Sequence, residues 1–192
     1  MVKKVGLTGG IGSGKSVISN IFQVLGIAVY NSDREAKRLM QTNDKLKHSI
    51  INKFGSEVYI GDELNRKYLA SIVFNDFNAL KVLNGLVHPI MYSDFNRWSE
   101  RQKGSYVINE AAILIESGGY TRMDAVILVS APESLRISRV IKRDNCSEED
   151  IQSRLNNQFN DEERRPFCDF EIINGGKKSL IKQVLDIHKT LS

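Results

Sequence analysis

One short segment near the amino terminus constrains the fold more than any other. Residues 9–16 read Gly-Gly-Ile-Gly-Ser-Gly-Lys-Ser, which matches the pattern G-x-x-x-x-G-K-[ST], and they follow the apolar run from Val2 to Thr8. The pattern requires a buried strand before it and a helix after it, and apolar residues recur at helical spacing between Ile18 and Leu25. The segment therefore predicts a phosphate-binding loop between a first strand and a first helix.

The residue types of this loop predict its chemistry. Glycines at positions 9, 10, 12 and 14 are expected to adopt positive φ angles, so that successive N–H groups point at one anion. The Lys15 ammonium is expected to reach the β- and γ-phosphates of a nucleotide, and the Ser16 hydroxyl a Mg²⁺ ion. A glycine-rich turn with a lysine by chance is the alternative, and the flanking strand and helix argue against it. The predicted nucleotide-binding residues are Gly10, Ile11, Gly12, Ser13, Gly14, Lys15 and Ser16.

Length and composition limit what the chain can be. A chain of 192 residues can form one well-buried core with an inserted segment. No apolar stretch approaches the roughly 20 residues of a membrane span, and no signal-peptide pattern precedes the first strand. Cys146 and Cys168 lack metal-ligand spacing, so two structural thiols in a reducing cytoplasm are expected. The dispersed net charge of +4 fits small phosphate-bearing substrates and does not indicate nucleic-acid binding.

Four further apolar runs predict strands separated by helices. They cover residues 27–30, 106–110, 124–129 and 169–173. This alternation indicates a three-layer α/β fold with a five-stranded parallel sheet. Asp33 and Glu110 lie at carboxyl ends of strands, so both are expected at the edge that holds the phosphate loop. Asp33 could instead cap a helix that begins near Arg34. Glu110 is expected where phosphate-loop enzymes keep an acid beside the metal. Glu116 is expected to be a carboxylate on the substrate side or, alternatively, a surface or capping carboxylate.

Residues 35–103 are mostly helical by pattern and much too long for a simple crossover between two strands. A helical subdomain over the ligand edge of the sheet, serving the second substrate, is the expected role. Arg66 and His88 are its candidate substrate contacts. The plainer interpretation makes Arg66 a solvated helix charge and His88, which precedes Pro89, a helix-end residue.

Residues 139–166 are predicted to form a lid over the nucleotide phosphates. Arg136, Arg139 and Arg143 are spaced to form one basic helix face, which could simply be solvated. Residues 147–150 resemble a capping box that starts another helix, and few apolar residues that could anchor the segment to a core follow. Its further polar residues include Arg154, Gln158, Arg164 and Arg165.

Taken together, these motifs resemble those of the dephospho-CoA kinase family. The shared residues are Gly6 to Ser16, Asp33, Leu64-Asn65-Arg66 with Leu69-Ala70 and Val73-Phe74, Leu83 to Ile90, Ile113 to Glu116, Arg139, Arg143-Asp144, Arg154, Gln158, Asp169 and Asn174-Gly175. They run in family order over nearly the full length of the chain. The phosphate loop alone would not distinguish this family from other kinases.

The resemblance implies a nucleoside-monophosphate-kinase-like P-loop fold in three parts. Residues 1–34, 104–138 and 167–192 would form the nucleotide-binding core, residues 35–103 a helical CoA-binding subdomain, and residues 139–166 the lid. The reaction would be transfer of the ATP γ-phosphate to the ribose 3′-hydroxyl of dephospho-CoA, with Mg²⁺. The expected assembly is a monomer or a small homo-oligomer, without a nucleic-acid or membrane partner.

The resemblance also implies residue roles. Asp33 would act as the base and lie beside the metal with Ser16, while Lys15, Arg139 and Arg143 would neutralise charge on the phosphates. Asn174 would lie near the adenine, and the acceptor side would include Arg66, His88, Glu110 and Glu116. The chain departs from the family pattern at Asn31-Ser32-Asp33, where Asp-Ala-Asp is common. It also departs at Ala112, where many members have proline.

Two other functions fit parts of the pattern. A different small-metabolite or nucleotide kinase would keep the phosphate loop and change the acceptor, so the segment 35–103 must decide between acceptors. A nucleotide-driven switch would use Asn109-Glu110 to activate water. No Asn-Lys-x-Asp guanine signature supports that reading, since Asn52-Lys53 is followed by Phe54-Gly55.

Overall fold

The structure is a computed structural model that describes residues 2–73, 76–145, 147, 151, 155, 158–176 and 178–192. The chain forms two compact units, one of residues Met1–Asn31 with Ser99–Ser192 and one of residues Ser32–Trp98. In chain order the described elements are β1 (Lys3–Thr8), α1 (Lys15–Val24), β2 (Val29–Asn31), α2 (Ser32–Thr42), α3 (Asp44–Phe54), β3 (Tyr59–Ile60), β4 (Glu63–Leu64), α4 (Arg66–Val73), α5 (Phe77–Glu100), β5 (Tyr106–Glu110), β6 (Ala125–Ser130), α6 (Glu133–Asp144), α7 (Asp161–Arg164), β7 (Phe170–Ile173) and α8 (Leu180–Leu191). Short 3₁₀ turns cover Ser56–Val58, Gly119–Arg122 and Arg165–Phe167.

The first unit is built on a five-stranded sheet with the order β2-β5-β1-β6-β7, and every pairing in it is parallel. Strands buried on both faces explain why the sequence shows apolar runs here and no alternation. The core between this sheet and the helices contains Val5, Leu7, Ile18, Phe22, Ile108, Ile127, Val129, Ile172 and Val184. All five predicted strands and the α/β fold are confirmed.

The first helix begins at Lys15, as predicted, and buries the face that carries Ile18 and Phe22. Gly26, with φ of +82°, ends it in the left-handed conformation that favours glycine. The predicted boundaries shift at β2, which begins at Val29 and runs directly into α2 at Ser32. Asp33 therefore lies in the first turn of α2 and is not the residue that precedes the helix.

The second unit contains α2, α3, α4 and most of α5, together with a small hairpin that the sequence analysis missed. Strands β3 and β4 pair antiparallel, with Ile60 opposite Glu63. The two residues between them, Gly61 and Asp62, form a tight turn, and Gly61 has φ of +59°. A Gly-Asp pair between short strand-like runs is a recognised hairpin signal, and the helical pattern on either side concealed it.

Helix α5 continues through Pro89, so the interpretation of His88 as a helix-end residue is wrong. Proline costs one helical hydrogen bond and crowds the preceding turn. Val87 and Met91, on either side of it, are both buried. We infer that burial of these side chains outweighs the lost hydrogen bond.

Pro132 immediately precedes α6 as its cap residue. The expected helix start at residues 147–150 and the residues Cys146 and Arg154 lie outside the described residues, apart from Ser147. Among the described helices, none is both long and apolar enough to cross a membrane.

Candidate active site

The phosphate loop joins β1 to α1, and its glycines serve different purposes. Gly9, Gly12 and Gly14 have φ angles of +149°, +76° and +95°, as predicted. Gly10 is not among the residues with positive φ, so the expectation for this position is wrong. A Cβ atom at Gly10 would collide with the Arg136 guanidinium, so that close approach accounts for the glycine.

Three consecutive carbonyl groups of the loop accept hydrogen bonds from side chains far away in the sequence. The bonds are Arg136 Nε to Ile11 O at 3.1 Å, Arg139 Nη1 to Gly12 O at 3.3 Å and Asn174 Nδ2 to Ser13 O at 2.7 Å. We call these three side chains the carbonyl clamp. Arg139 also donates from Nη2 to Asn174 Oδ1 at 3.2 Å, so two members of the clamp hold each other.

The carbonyl clamp fixes the direction of the loop amides. No described peptide bond is cis. In a planar trans peptide the C=O and the following N–H point in opposite directions. The N–H groups of Gly12, Ser13 and Gly14 therefore point away from the clamp. Such a run of amides at the start of a helix is suited to an anion.

Two amides of the loop already donate hydrogen bonds to other groups of the protein. Ser13 N–H donates to Gly10 O at 3.2 Å, which closes a tight turn. Ile11 N–H donates to Gln158 Oε1 at 3.0 Å. The amide of Ile11 is thus bound by a side chain from the predicted lid.

Lys15 and Ser16 lie where the motif predicts, at the first two positions of α1. The Lys15 ammonium donates to the carbonyls of Gly9 at 2.7 Å and Gly10 at 3.3 Å, and so lies across the loop. Ser16 is exposed, and the helix start has no side-chain cap. The positive end of the helix dipole is therefore directed at the loop.

Glu110 ends β5 next to the loop strand, and neighbouring side chains hold its carboxylate. Ser19 Oγ of α1 donates to Glu110 Oε2 at 2.8 Å, and Asn31 Nδ2 of β2 donates to the same oxygen at 3.2 Å. Asn31 and Glu110 also face each other in the strand register. Two donors on one oxygen fix the orientation of the Glu110 carboxylate at the end of the sheet.

Glu116 binds protein groups in this structure. Its Oε1 atom lies 2.5 Å from Arg164 Nη2 and 3.1 Å from the Phe159 backbone nitrogen. Arg164 is fully buried, and its Nη1 atom lies 3.7 Å from Asp161 Oδ1. Glu116 thus anchors the carboxyl-terminal end of the predicted lid, and the expectation that little holds this segment to the core is wrong for that end. Its predicted contact with the acceptor stays a prediction.

The remaining predicted site residues differ in their surroundings. Arg143 is exposed and forms a two-bond ion pair with the neighbouring Asp144, unlike Arg136 and Arg139 on the same helix. In the second unit, Arg66 is exposed at the first position of α4, and Asp33 is exposed in α2. The basic face predicted from the spacing of the three arginines on α6 is therefore divided, because Arg136 and Arg139 contact the loop and Arg143 faces solvent.

Burial changes the pKa values of His88 and of Cys168. Desolvation lowers the pKa of His88, whose ring lies 6.0 Å from that of Tyr92. Burial raises the pKa of the Cys168 thiol to about 11, and its sulfur donates to Arg164 O. A thiol with so high a pKa is a poor nucleophile at neutral pH, which agrees with the structural role predicted for Cys168.

The sequence pattern does not reveal the contributions of Arg136, Ser19 and Asp161. The spacing of Arg136 predicts only a basic helix face, whereas its side chain is no more than 7% exposed and contacts the loop. Ser19 shares the first turns of α1 with the motif and faces the end of β5. A polar residue on the buried face of that helix was the signal that could have identified it.

Comparisons with known proteins agree with this architecture. The family model described as dephospho-CoA kinase matches residues 3–179. A dephospho-CoA kinase from Bacteroides fragilis is 40% identical over 188 residues, which cover 97% of this chain and 92% of the relative. One from Salinibacter ruber is 39% identical over 176 residues, which cover 90% of this chain and 88% of the relative.

Solved structures show the same relationship. A Thermus thermophilus protein superposes with a TM-score of 0.87 at 28% identity, covering 100% of this chain and 98% of its own. Dephospho-CoA kinase from Campylobacter jejuni superposes with a TM-score of 0.73 at 25% identity and the same coverage. Shikimate kinase from Acinetobacter baumannii, at 16% identity and a TM-score of 0.53, shares the fold. With a phosphate loop, a matching sheet and relatives across its whole length, the chain belongs to the dephospho-CoA kinase family of ATP-dependent kinases.

Proposed function

We propose that the chain transfers the γ-phosphate of ATP to the ribose 3′-hydroxyl of dephospho-CoA, giving CoA and ADP. The observation that carries the proposal is the phosphate loop, whose three clamped carbonyls turn the amides of residues 12–14 to the opposite side. Family membership supplies the acceptor. The names of the relatives include dephospho-CoA, which distinguishes this acceptor from shikimate or a nucleoside monophosphate.

The loop would hold the triphosphate mainly through backbone donors. The amides of Gly12 and Gly14 offer hydrogen bonds in a fixed arrangement, the Ser13 amide would turn from Gly10 O to the phosphate, and the helix dipole adds positive potential. The Lys15 ammonium, now on the carbonyls of Gly9 and Gly10, would move a short distance to the β- and γ-phosphates. Ile11 N–H would become available to phosphate when Gln158 leaves it.

Magnesium fits the residues at the end of the sheet. Mg²⁺ keeps several waters and usually takes one or two protein oxygens together with phosphate oxygens. Ser16 and the oriented carboxylate of Glu110 are suitable oxygen donors, with Asp33 as a further candidate. No cluster of three or more acidic, histidine or cysteine residues occurs among the described residues, and such a site does not need one. When bound, the ion would neutralise charge on the phosphates.

The chain would contribute positioning and proton transfer. Asp33 would orient the acceptor hydroxyl and take its proton as the oxygen attacks phosphorus. Arg139 and Arg143 would neutralise charge on the transferring group, for which Arg139 would leave its bonds with Gly12 and Asn174, and Arg143 its pair with Asp144. Asn174 would lie near the adenine, and Arg66, His88 and Glu116 would contact the acceptor. We further propose that the protein is cytoplasmic and that it is a monomer or a small homo-oligomer.

A coupled assay of ADP release tests the function directly. Dephospho-CoA, adenosine monophosphate and shikimate are offered as acceptors in turn, with Mg²⁺ and ATP. Turnover with dephospho-CoA at least about 100-fold above the others is expected, because a site built to hydrogen-bond one acceptor rejects others strongly. Lys15→Met should abolish turnover with every acceptor. Equal ADP release without any acceptor would contradict the proposal and favour a nucleotide-driven switch.

A further inference from the structure

The three members of the carbonyl clamp differ in one respect. Arg139 and Asn174 already have predicted nucleotide contacts, whereas Arg136 has none. Its side chain is 7% exposed, and Nε donates to Ile11 O at 3.1 Å. A cation so deeply buried is costly unless charged and hydrogen-bonding partners compensate it. The partners of Arg136 are the loop on one side and the Asp161 carboxylate on the other.

The loop packs directly on Arg136. An ideal Cβ atom at Gly10 would collide with the guanidinium group, and one at Gly12 would come within 2.5 Å of the Arg136 carbonyl oxygen. Two of the glycines in the motif are therefore in contact with this one residue. The guanidinium group contacts the loop on its carbonyl side, opposite to the amides of Gly12, Ser13 and Gly14.

A chain of alternating charges holds Arg136 in place. Its Nη1 atom lies 3.5 Å from Asp161 Oδ1, and the same oxygen lies 3.7 Å from Arg164 Nη1. Arg164 in turn pairs with Glu116 at 2.5 Å. The chain connects the phosphate loop to α7 through groups whose side chains are at most 16% exposed. Ion pairs in such surroundings are screened weakly, so the removal of one member affects the others.

We propose that Arg136 is a positioning residue, which, together with Asp161, holds the phosphate loop in the shape that binds ATP. The inference rests on the proposed function, because it concerns the same loop. Arg136 acts on ATP through the Ile11 carbonyl, and Asp161 fixes the guanidinium that makes this bond. Arg136 therefore contributes to the affinity for ATP, and it does not contribute to binding of the acceptor.

Binding of Mg·ATP to Arg136→Gln, measured by calorimetry at a temperature where the variant is folded, tests this inference. Loss of a charged hydrogen bond and of loop support should raise the Kd for ATP by about 10- to 100-fold. The KM for dephospho-CoA should change by less than about twofold, because the acceptor does not bind the loop carbonyls. Arg136→Lys keeps the charge and one donor, and should recover part of the lost affinity.

Arg122→Gln is the matched control, because Arg122 is exposed in the 3₁₀ turn Gly119–Arg122 and lies outside the phosphate loop and the predicted lid. Its Kd for ATP should stay within about twofold of the wild type. A folded Arg136→Gln protein with wild-type ATP affinity would overturn the inference. A merely structural role would lower the melting temperature and leave the Kd of the folded protein unchanged, which overturns it as well.

Asp161→Asn and Arg136→Lys keep the test decisive if Arg136→Gln does not fold. Both retain nearly the original volume, and each should weaken ATP binding by about 3- to 10-fold. Wild-type affinity in both would overturn the inference. A wild-type protein that itself fails to bind Mg·ATP would defeat the proposed function first. A wild type that binds ATP, with variants that bind it equally well, would defeat only the role of Arg136.

Discussion

The two compact units use polar residues in opposite ways. In the unit that contains the phosphate loop, charged side chains are buried: Arg136, 7% exposed, binds a backbone carbonyl of the loop, and Arg164, 0% exposed, pairs with the Glu116 carboxylate. In the unit formed by residues 32–98, the ion pairs Arg38–Asp94 and Lys47–Asp62 lie at the surface. The interior of that unit is apolar, with Leu39, Leu46, Ile50, Leu69 and Val87 buried.

The difference shows where polar burial is needed. An apolar core packs helices together but cannot fix the direction of a carbonyl group, since dispersion contacts have little directionality. A loop that must present several amides to one ligand needs directional donors on its other side. Buried arginines and an asparagine supply those donors, and the second unit contains no such loop among its described residues.

Asp33→Asn should have the largest effect of these substitutions, although it alters an exposed residue. Asp33 is exposed in the second unit, so its substitution should hardly change stability. As the proposed base, it should nevertheless lower turnover by about 10²- to 10⁴-fold while ATP binding stays intact. ADP release and ATP calorimetry measure the two quantities. Full turnover in the variant with Mg²⁺ present would remove Asp33 from the mechanism.

Glu116→Ala tests the buried side of the comparison. It leaves the Arg164 guanidinium, which is fully buried, without its closest carboxylate. Breaking such a pair costs about 3–5 kcal/mol of the free energy of unfolding, which urea denaturation measures. Arg165→Met removes an exposed pair in the same unit and should leave the denaturation midpoint near that of the wild type. Equal stability of both variants would show that burial of these charges is energetically unimportant.

Arg38→Met tests the exposed side of the comparison. Arg38 is 46% exposed and pairs with Glu35 and with Asp94, at 2.8 Å from the latter. Partial solvent exposure screens both pairs, so a loss of at most about 1 kcal/mol in the free energy of unfolding is expected. A loss as large as that of Glu116→Ala would mean that surface ion pairs stabilise the second unit as strongly as buried ones do the first.

The change in the free energy of unfolding with pH should be smaller than the changes caused by these substitutions, and we expect it to come from His88. Desolvation lowers the pKa of His88 in the folded protein, so its neutral form is favoured there. As pH falls below about 6.5, the unfolded chain binds the proton first, and stability is lost toward the folded pKa. Above that value His88 contributes no pH dependence. Unfolding of the wild type and His88→Gln at pH 7.5 and 5.5 measures the difference, and an equal loss in both would contradict this expectation.

Much of the site follows from local sequence, because its elements are short and contiguous. The strand, the loop and the first helix occupy residues 3–24, and the spacing of Gly9, Gly12 and Gly14 determines where the backbone can take positive φ. Glu110 could also be placed at the edge of the sheet, because parallel strands end on the same side. The hairpin at residues 59–64 was missed because a two-residue strand carries too little pattern to compete with neighbouring helices.

The sequence by itself determined that this chain has a phosphate loop, five parallel strands and the motifs of one kinase family, because each of these features depends on residues close together in the chain. Only the tertiary structure decided which of three similar arginines on α6 supports the loop and which faces solvent. The contacts of Arg136 and Asn174 with the loop span 125 and 161 residues. Local spacing carries no information on such contacts, because packing of the sheet and helices brings their partners together.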